Sequence, residues 1–137
     1  MRKFIMQSLA LFLCLIMAVP TSAYDLPNSA LRYTYINELY WNFDINTDTG
    51  LRRTQGSIEI SSGDSCEVVA TIQRKVNNSW RDYKTFSLKE QDSYAFLDKS
   101  WIVPNGYIYR CHYTFRVYVG GSIVETSIKN SPEVDYT

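Results

Sequence analysis

Residues 44–50, written D-I-N-T-D-T-G, place oxygen-bearing side chains at alternate positions and end in a glycine. Calcium-binding loops of the EF-hand kind begin in the same way, with oxygen ligands at positions 1, 3 and 5. These positions hold the weak candidate calcium ligands Asp44, Asn46 and Asp48. The second half of the pattern fails, because the glycine is displaced by one residue and Gln55 stands where a bidentate glutamate is needed. We therefore expect a β-hairpin loop without a metal, and no cofactor.

Two cysteines, Cys66 and Cys111, remain once an amino-terminal leader is removed. An exported chain meets an oxidising environment, in which a pair of cysteines normally forms a disulfide. Both residues fall on the apolar side of alternating segments, so we expect a buried disulfide worth about 4 kcal/mol by the chain-entropy estimate. A catalytic thiol is disfavoured, since the only histidine, His112, directly follows Cys111 and neighbouring strand residues point to opposite faces.

The carboxylates Glu90, Asp92 and Asp98 are the groups from which a small hydrolase would draw an acid and a base. They fall in or beside a connecting segment, and we expect them to be solvated surface groups. His112 has no second histidine with which to build a zinc site, so we expect an ordinary surface residue. No catalytic residue is assigned, and the protein is expected not to be an enzyme.

The chain is rich in aromatic residues, with 11 tyrosines and 3 tryptophans. Such side chains serve both in cores and at binding surfaces, because each has an apolar body and a polar tip. Strand alternation sends most of the tyrosines to the interior. Four aromatic residues are candidates for a ligand-binding row if they prove to be exposed: Trp80, Tyr83, Trp101 and Tyr118.

The elements that must position these residues begin after a leader. A basic start at Arg2 and Lys3, an apolar run over residues 4–19 and small residues up to Ala23 are typical of a secretory signal peptide. The run is shorter than the roughly 20 residues that span a bilayer, and no later stretch is apolar enough to do so. We expect cleavage after Ala23, an extracellular location and a single domain over residues 24–137.

Charge gives little indication of a partner. The whole chain has 14 basic and 14 acidic residues, and removing Arg2 and Lys3 leaves a slightly acidic mature chain. Such a balance provides no electrostatic reason to expect a nucleic acid or an anionic membrane as partner. We therefore expect the binding partner to be an unknown protein or a glycan.

The mature chain has the alternation and punctuation of an all-β domain. Leu31, Tyr35 and Leu39 recur with helical spacing, but the tyrosine, threonine and isoleucine around them favour extended structure. Without room for helical crossovers, the sheets are expected to be antiparallel and to form an immunoglobulin-like or fibronectin-like sandwich. Tyr109, two residues before Cys111, suits the tyrosine corner of such domains. About seven strands are predicted, over residues 38–45, 52–60, 66–75, 81–88, 94–103, 107–119 and 122–128.

The strongest local signal is a hairpin at Gly120-Gly121, where two glycines supply the positive φ of a type I′ turn. Taking them as the turn places Val117 opposite Val124 and Tyr118 opposite Ile123. Alternation then assigns a core face on two strands. On the later strand it comprises Tyr107, Tyr109, Cys111, Tyr113, Phe115, Val117 and Val119, and on the earlier one Cys66, Val68, Ala70 and Ile72.

Several of these segments also carry a resemblance. The leader, residues 32–36 (R-Y-T-Y-I), the hairpin 72–80 (I-Q-R-K-V-N-N-S-W) and residues 106–110 (G-Y-I-Y-R) and 117–121 (V-Y-V-G-G) are in similar order in a group of small proteins. The chain resembles these small secreted β-rich proteins of unknown function from Gram-positive bacteria. The resemblance implies an exported β domain and supplies no catalytic residues.

These patterns predict a secreted, non-enzymatic β-sandwich that acts as an interaction or binding module at the cell surface or outside the cell. One alternative is a carbohydrate-binding module that uses exposed aromatic residues. Another is a small secreted hydrolase that uses surface carboxylates. An inhibitor or toxin-like effector has no distinguishing feature in the sequence and stays open.

Overall fold

The computed structural model describes residues 33–137, so the signal peptide predicted for residues 1–23 lies outside the described part of the chain. The described residues form eight strands, all paired antiparallel, and the all-β prediction is confirmed. The strands are β1 (Ile36–Asn46), β2 (Leu51–Ile60), β3 (Ser65–Val76), β4 (Ser79–Glu90), β5 (Tyr94–Ile102), β6 (Tyr107–Val119), β7 (Ser122–Asn130) and β8 (Val134–Tyr136). The short strand β8 follows Pro132 and was not predicted.

The strands form two sheets that pack as a sandwich. One sheet has the order β1-β2-β5, and the other has the order β4-β3-β6-β7, with β8 also paired to β6. In an immunoglobulin domain of the constant type, the fourth strand joins the fifth. Here β4 pairs with β3 instead, so the strand order differs from that of the constant type.

One core lies between the inner faces of the two sheets. The predicted inward residues of β3, from Cys66 to Ile72, are fully buried, and so are those of β6 from Tyr109 to Val117. Val119 was also predicted to face the core, but 40% of it is exposed because β6 extends past the sandwich there. Alternation therefore identified the core faces of both strands, apart from this one end.

A tyrosine crosses the core and links the sheets. The Tyr113 hydroxyl of β6 donates to the carbonyl oxygen of Asn42 in β1 at 2.6 Å and lies 2.7 Å from the Thr54 hydroxyl in β2. The sheets approach closely at this point, where a Cβ on Gly56 would stand 2.9 Å from Val68 Cγ1. The lack of a side chain at Gly56 makes this approach possible.

The predicted disulfide between Cys66 and Cys111 is wrong, and both cysteines are free and buried. The two residues lie on the neighbouring strands β3 and β6, but Cys66 pairs with Val117 and Cys111 pairs with Ile72. Six residue positions therefore separate them along the sheet, about 20 Å at the rise of an extended strand. A disulfide needs Cα atoms no more than about 7 Å apart. The shared core face was predicted correctly, but strand register prevents the bond.

The hairpin between β6 and β7 differs from its predicted register by a β-bulge. Gly120 and Gly121 both have positive φ, and Tyr118 pairs with Ile123 as expected. The pairing then shifts, so that Val117 lies opposite Glu125 and not Val124. An additional residue in one strand displaces all later pairs, and this change has no clear signature in an alternating sequence.

The tyrosine corner is confirmed. The hydroxyl of Tyr109, near the start of β6, donates to the carbonyl oxygen of Pro104 at 2.6 Å. Such a bond ties the strand to the connection that precedes it. It fixes the connection between β5 and β6 at one end of the sandwich.

The segment that leads into β1 is held against β7 by one carboxylate. Glu125 accepts hydrogen bonds from the backbone N–H groups of Thr34, Tyr35 and Ile36, at 2.8 to 2.9 Å. The Tyr33 hydroxyl adds a hydrogen bond with Ser127 at 2.8 Å. These contacts close the β1 and β7 side of the sandwich.

Candidate functional site

The four aromatic residues predicted as a ligand-binding row do not form one row. Trp80 and Tyr118 lie on the outer face of the larger sheet, near opposite ends of β3. The Arg110 guanidinium lies 4.3 Å from the centre of the Trp80 ring. The Tyr118 hydroxyl donates to Glu67 at 2.6 Å, and the Lys89 ammonium lies 3.4 Å from the centre of the Tyr118 ring. Both rings are thus engaged by charged neighbours.

The other two candidates, Tyr83 and Trp101, meet in a cleft between β4 and β5, the edge strands of the two sheets. This β4–β5 cleft has a volume of about 540 Å³, within the range of small-molecule sites. Its large apolar residues are accessible to solvent, with Trp101 41% exposed and Ile102 67% exposed. The cleft is lined by Leu51, Tyr83, Ser100, Trp101 and Ile102.

Strand register explains why Trp101 points into the cleft. Trp101 pairs with Arg52, whose side chain is fully buried between the sheets, so Trp101 belongs to the inner face. Because β5 is the edge strand of its sheet, no further strand of the same sheet lies beyond this inward ring. A residue of the core face thereby becomes part of an accessible surface.

A β-bulge explains the position of Tyr83. In the pairing of β3 with β4, Ile72 lies opposite Lys84 and Gln73 lies opposite Asp82, which leaves Tyr83 as an additional residue. A bulge of this kind re-aims a side chain. The Tyr83 ring contacts the buried Tyr109 ring edge to face, with the ring centres 6.4 Å apart.

One cation and one further ring hold Trp101 in place. The Phe86 ring packs against the indole edge to face, with centres 6.2 Å apart. The Lys84 ammonium lies 4.3 Å from the centre of the Trp101 ring. A cation over an aromatic face is attracted by the ring quadrupole. The mouth of the cleft therefore combines an apolar ring with a positive charge.

A stack of arginines and tyrosines continues from the cleft into the protein, and sequence reasoning missed it. Arg52 lies between two rings, with its Cζ atom 4.9 Å from the centre of Tyr109 and 4.4 Å from that of Tyr136. The Cζ atom of Arg74 lies 5.3 Å from the Tyr83 ring centre. We call this group the arginine–tyrosine stack; its members are Tyr136, Arg52, Tyr109, Tyr83, Arg74 and Tyr107.

Arg52 is the most unusual member of the stack. Its side chain is 0% exposed, and among the described residues its three guanidinium nitrogens have no hydrogen-bond partner. Burial lowers the pKa of the guanidinium, and the neighbouring Tyr109 and Tyr136 act in the opposite direction. A signal was present in the sequence, since Arg52 holds an inward position in a strand whose other inward residues include Ile58 and Ile60.

The weak candidate calcium ligands form a hairpin loop between β1 and β2. Asn46 accepts hydrogen bonds from the backbone N–H groups of Asp48 and Thr49 at 3.0 and 3.1 Å. Asp44 accepts one from the N–H of Ile45 at 2.8 Å. These side chains bond to nearby backbone, as asparagine and aspartate do in turns.

Of the three candidate hydrolase carboxylates, Glu90 at the end of β4 and Asp92 both lie near the buried Cys66, whereas Asp98 lies on β5. Asp98 is on the outer face of the smaller sheet and forms an ion pair with Arg53 at 2.6 Å. The hydrogen bond from Arg53 lowers the pKa of Asp98, which makes this carboxyl a poor proton donor near neutral pH. Asp92 lies in the connection between β4 and β5 and accepts a hydrogen bond from the backbone N–H of Ser93.

His112, the only histidine, lies on the outer face of β6, and its Nδ1 atom is 2.8 Å from Asn130 Oδ1. Within residues 33–137, no three His, Cys, Asp or Glu side chains are grouped as a metal site requires. No helix in the same range has the length and apolar character needed to cross a membrane.

Comparison of the chain with protein-family models and with curated proteins gave no match.

Proposed function

We propose that the mature chain is an exported, non-enzymatic binding module whose ligand is a saccharide that docks in the β4–β5 cleft. The observation that carries the proposal is the pair of aromatic rings, Tyr83 and Trp101, in one concave and accessible site. Export is supported by the composition of residues 1–23 and by the resemblance to small secreted proteins.

The chemistry of the cleft suits a sugar better than a fully apolar ligand. The faces of sugar rings carry C–H groups that stack on indole and phenol rings, while their hydroxyls need polar partners. Trp101 and Tyr83 supply rings, and the Lys84 ammonium, 4.3 Å from the centre of the Trp101 ring, supplies a hydrogen-bond donor beside them. The cleft volume of about 540 Å³ accommodates a few sugar units.

The proposal is tested by screening residues 24–137 against a glycan array and comparing Trp101→Ala with Phe96→Ala. The two residues lie on the same strand, β5, with similar exposures of 41% and 42%. Their side chains point to opposite faces, because Phe96 pairs with the outward Ser57. Trp101→Ala should weaken binding by roughly ten-fold, which corresponds to about 1.4 kcal/mol of lost contact with the sugar.

Phe96→Ala should leave glycan binding unchanged. Absence of any glycan hit, or equal binding by Trp101→Ala and the unchanged protein, would overturn the proposal. Export is tested separately by amino-terminal sequencing of protein recovered from the culture medium, where the expected first residue is Tyr24.

A further inference from the structure

Three cations lie against aromatic rings at or behind the β4–β5 cleft, and none of them forms an ion pair among the described residues, although Asp44 acts on Arg52 from a greater distance. Arg52 and Arg74 belong to the arginine–tyrosine stack, and Lys84 lies over Trp101. The ion pairs among the described residues use other cations, namely Arg53 with Asp98, Lys75 with Glu133 and Arg116 with Glu67. The region of the cleft is therefore positive, although the chain as a whole carries no net charge.

The burial of Arg52 is costly on its own. Removing a charged guanidinium from water is unfavourable, and each buried donor without a partner adds to that cost. The rings of Tyr109 and Tyr136 offset part of it through cation–π contacts, but they accept none of the hydrogen bonds that the guanidinium could donate. A methionine or leucine of similar volume would avoid the cost of burying the charge. Stability alone therefore does not explain a charge at this position, and the positive field of Arg52 is available to favour an anion nearby.

The position of the stack connects this charge to the cleft. Tyr83 lines the cleft on one side and contacts Tyr109 on the other, and Tyr109 in turn lies against Arg52. Arg74 also contacts Tyr83, and its buried Nε has no hydrogen-bond partner among the described residues. Arg74 thus lies directly behind Tyr83, and Arg52 lies one ring further in, behind Tyr109. Because charges interact more strongly in an interior of low dielectric constant than in water, both arginines favour an anion in the cleft.

We propose that the β4–β5 cleft selects an acidic saccharide, whose carboxylate lies beside Lys84 and is stabilised by the Arg52 and Arg74 guanidinium groups behind Tyr83. This inference rests on the proposed function and adds the chemical class of the ligand. The aromatic rings bind the sugar faces, and the three cations distinguish a uronic acid from its neutral counterpart. Such selectivity arises from electrostatic complementarity between the cations and the carboxylate. The attraction between them weakens as salt is added, because salt screens charges.

The first test compares two probes of equal length, a tetramer of galacturonic acid and a tetramer of galactose, by titration calorimetry with residues 24–137 at low and high salt. The acidic tetramer should bind at least roughly ten-fold more tightly at low salt, the factor that one charge-assisted hydrogen bond supplies. The difference should shrink at high salt. Inorganic sulfate at the same ionic strength should not compete, because it lacks a sugar face for Trp101.

The second test uses Arg52→Met and Lys84→Met, with Lys129→Met as matched control. Lys129 also lies over an aromatic ring, that of Trp41 at 5.4 Å, but on the β1 and β7 side of the sandwich. Arg52→Met should raise the melting temperature and reduce the preference for the acidic tetramer to less than about a third of its value. Lys84→Met should reduce the same preference without a change in fold, and Lys129→Met should alter neither quantity.

The outcomes separate this inference from the proposed function. Equal affinity for the two tetramers, with both lost in Trp101→Ala, would overturn the acidic selectivity and leave the saccharide-binding function in place. No affinity for either tetramer and no hit on the glycan array would overturn both. If Arg52→Met lowers the melting temperature and keeps the preference, Arg52 is a packing residue and the inference is wrong. Lys84→Met decides the question if Arg52→Met does not fold.

Discussion

Single residues account for the main correction to the sequence analysis. Cys66 and Cys111 were paired on the basis of composition and shared face, but register places them far apart. Each thiol is fully buried, and burial raises the pKa of each to about 11. Since the thiolate is the reactive form, these cysteines are chemically protected by the fold.

Thiol reactivity gives a direct prediction at this scale. In residues 24–137, a thiol-specific reagent such as DTNB should label neither cysteine in the native protein and both after unfolding in denaturant. The intact mass should be the same before and after reduction. A mass increase of about 2 Da on reduction, the two hydrogens gained when a disulfide opens, would contradict the free thiols described here.

At the scale of elements, sequence patterns identified strands well and their neighbours less well. Alternation and turn residues predicted seven of the strands and the inward residues of β3 and β6, because side-chain direction follows directly from strand geometry. Register was less accessible, since the bulges at Tyr83 and beside Val117 depend on packing across the whole sheet. Two of the four predicted site aromatics, Tyr83 and Trp101, lie together, because the bulge re-aims Tyr83 and the register places Trp101 on the inner face. The buried Arg52 behind them was not predicted.

The segment before β1 provides an element-scale prediction. Glu125→Gln should lower the free energy of unfolding by roughly 1 to 3 kcal/mol, because three backbone N–H groups lose a charged acceptor. Chemical denaturation monitored by tryptophan fluorescence measures this change. Amide hydrogen exchange should also increase at Tyr35 and Ile36.

The matched control is Glu133→Gln, which removes a single exposed ion pair with Lys75. Such pairs contribute about 0 to 1 kcal/mol, so this variant should remain close to the unchanged protein. An equal effect of the two substitutions would show that Glu125 acts through general charge and not through its three hydrogen bonds.

For the whole molecule, one shared core predicts that the described sandwich unfolds as a unit.

The stability of the sandwich should decline in alkali. The pKa of the Cys111 thiol rises from 9.0 to about 11 on folding because the side chain is buried. As the pH rises through this interval, the unfolded chain loses its proton first, so the free energy of unfolding falls by about 1.4 kcal/mol per pH unit from this group. Below pH 9 the thiol has no effect.

Urea denaturation at several pH values between 9 and 11 measures the decline, and Cys111→Ala isolates the contribution of the thiol. Cys66 and Tyr113 contribute in the same direction, because burial raises the pKa of the Cys66 thiol and of the Tyr113 phenol, and this part should persist in the variant. Identical pH dependence in Cys111→Ala and in the unchanged protein would contradict the assignment of the decline to Cys111.

The short strand β8 matters for how the protein can be handled. Tyr136 covers one face of the Arg52 guanidinium, and its carbonyl oxygen accepts a hydrogen bond from the Gly106 N–H at 2.7 Å. Shortening the chain before Val134 would open the interior to water at Arg52 and free the connection between β5 and β6. A fusion partner or affinity tag should therefore be joined after Thr137 through a flexible spacer, so that it does not pull Tyr136 out of place.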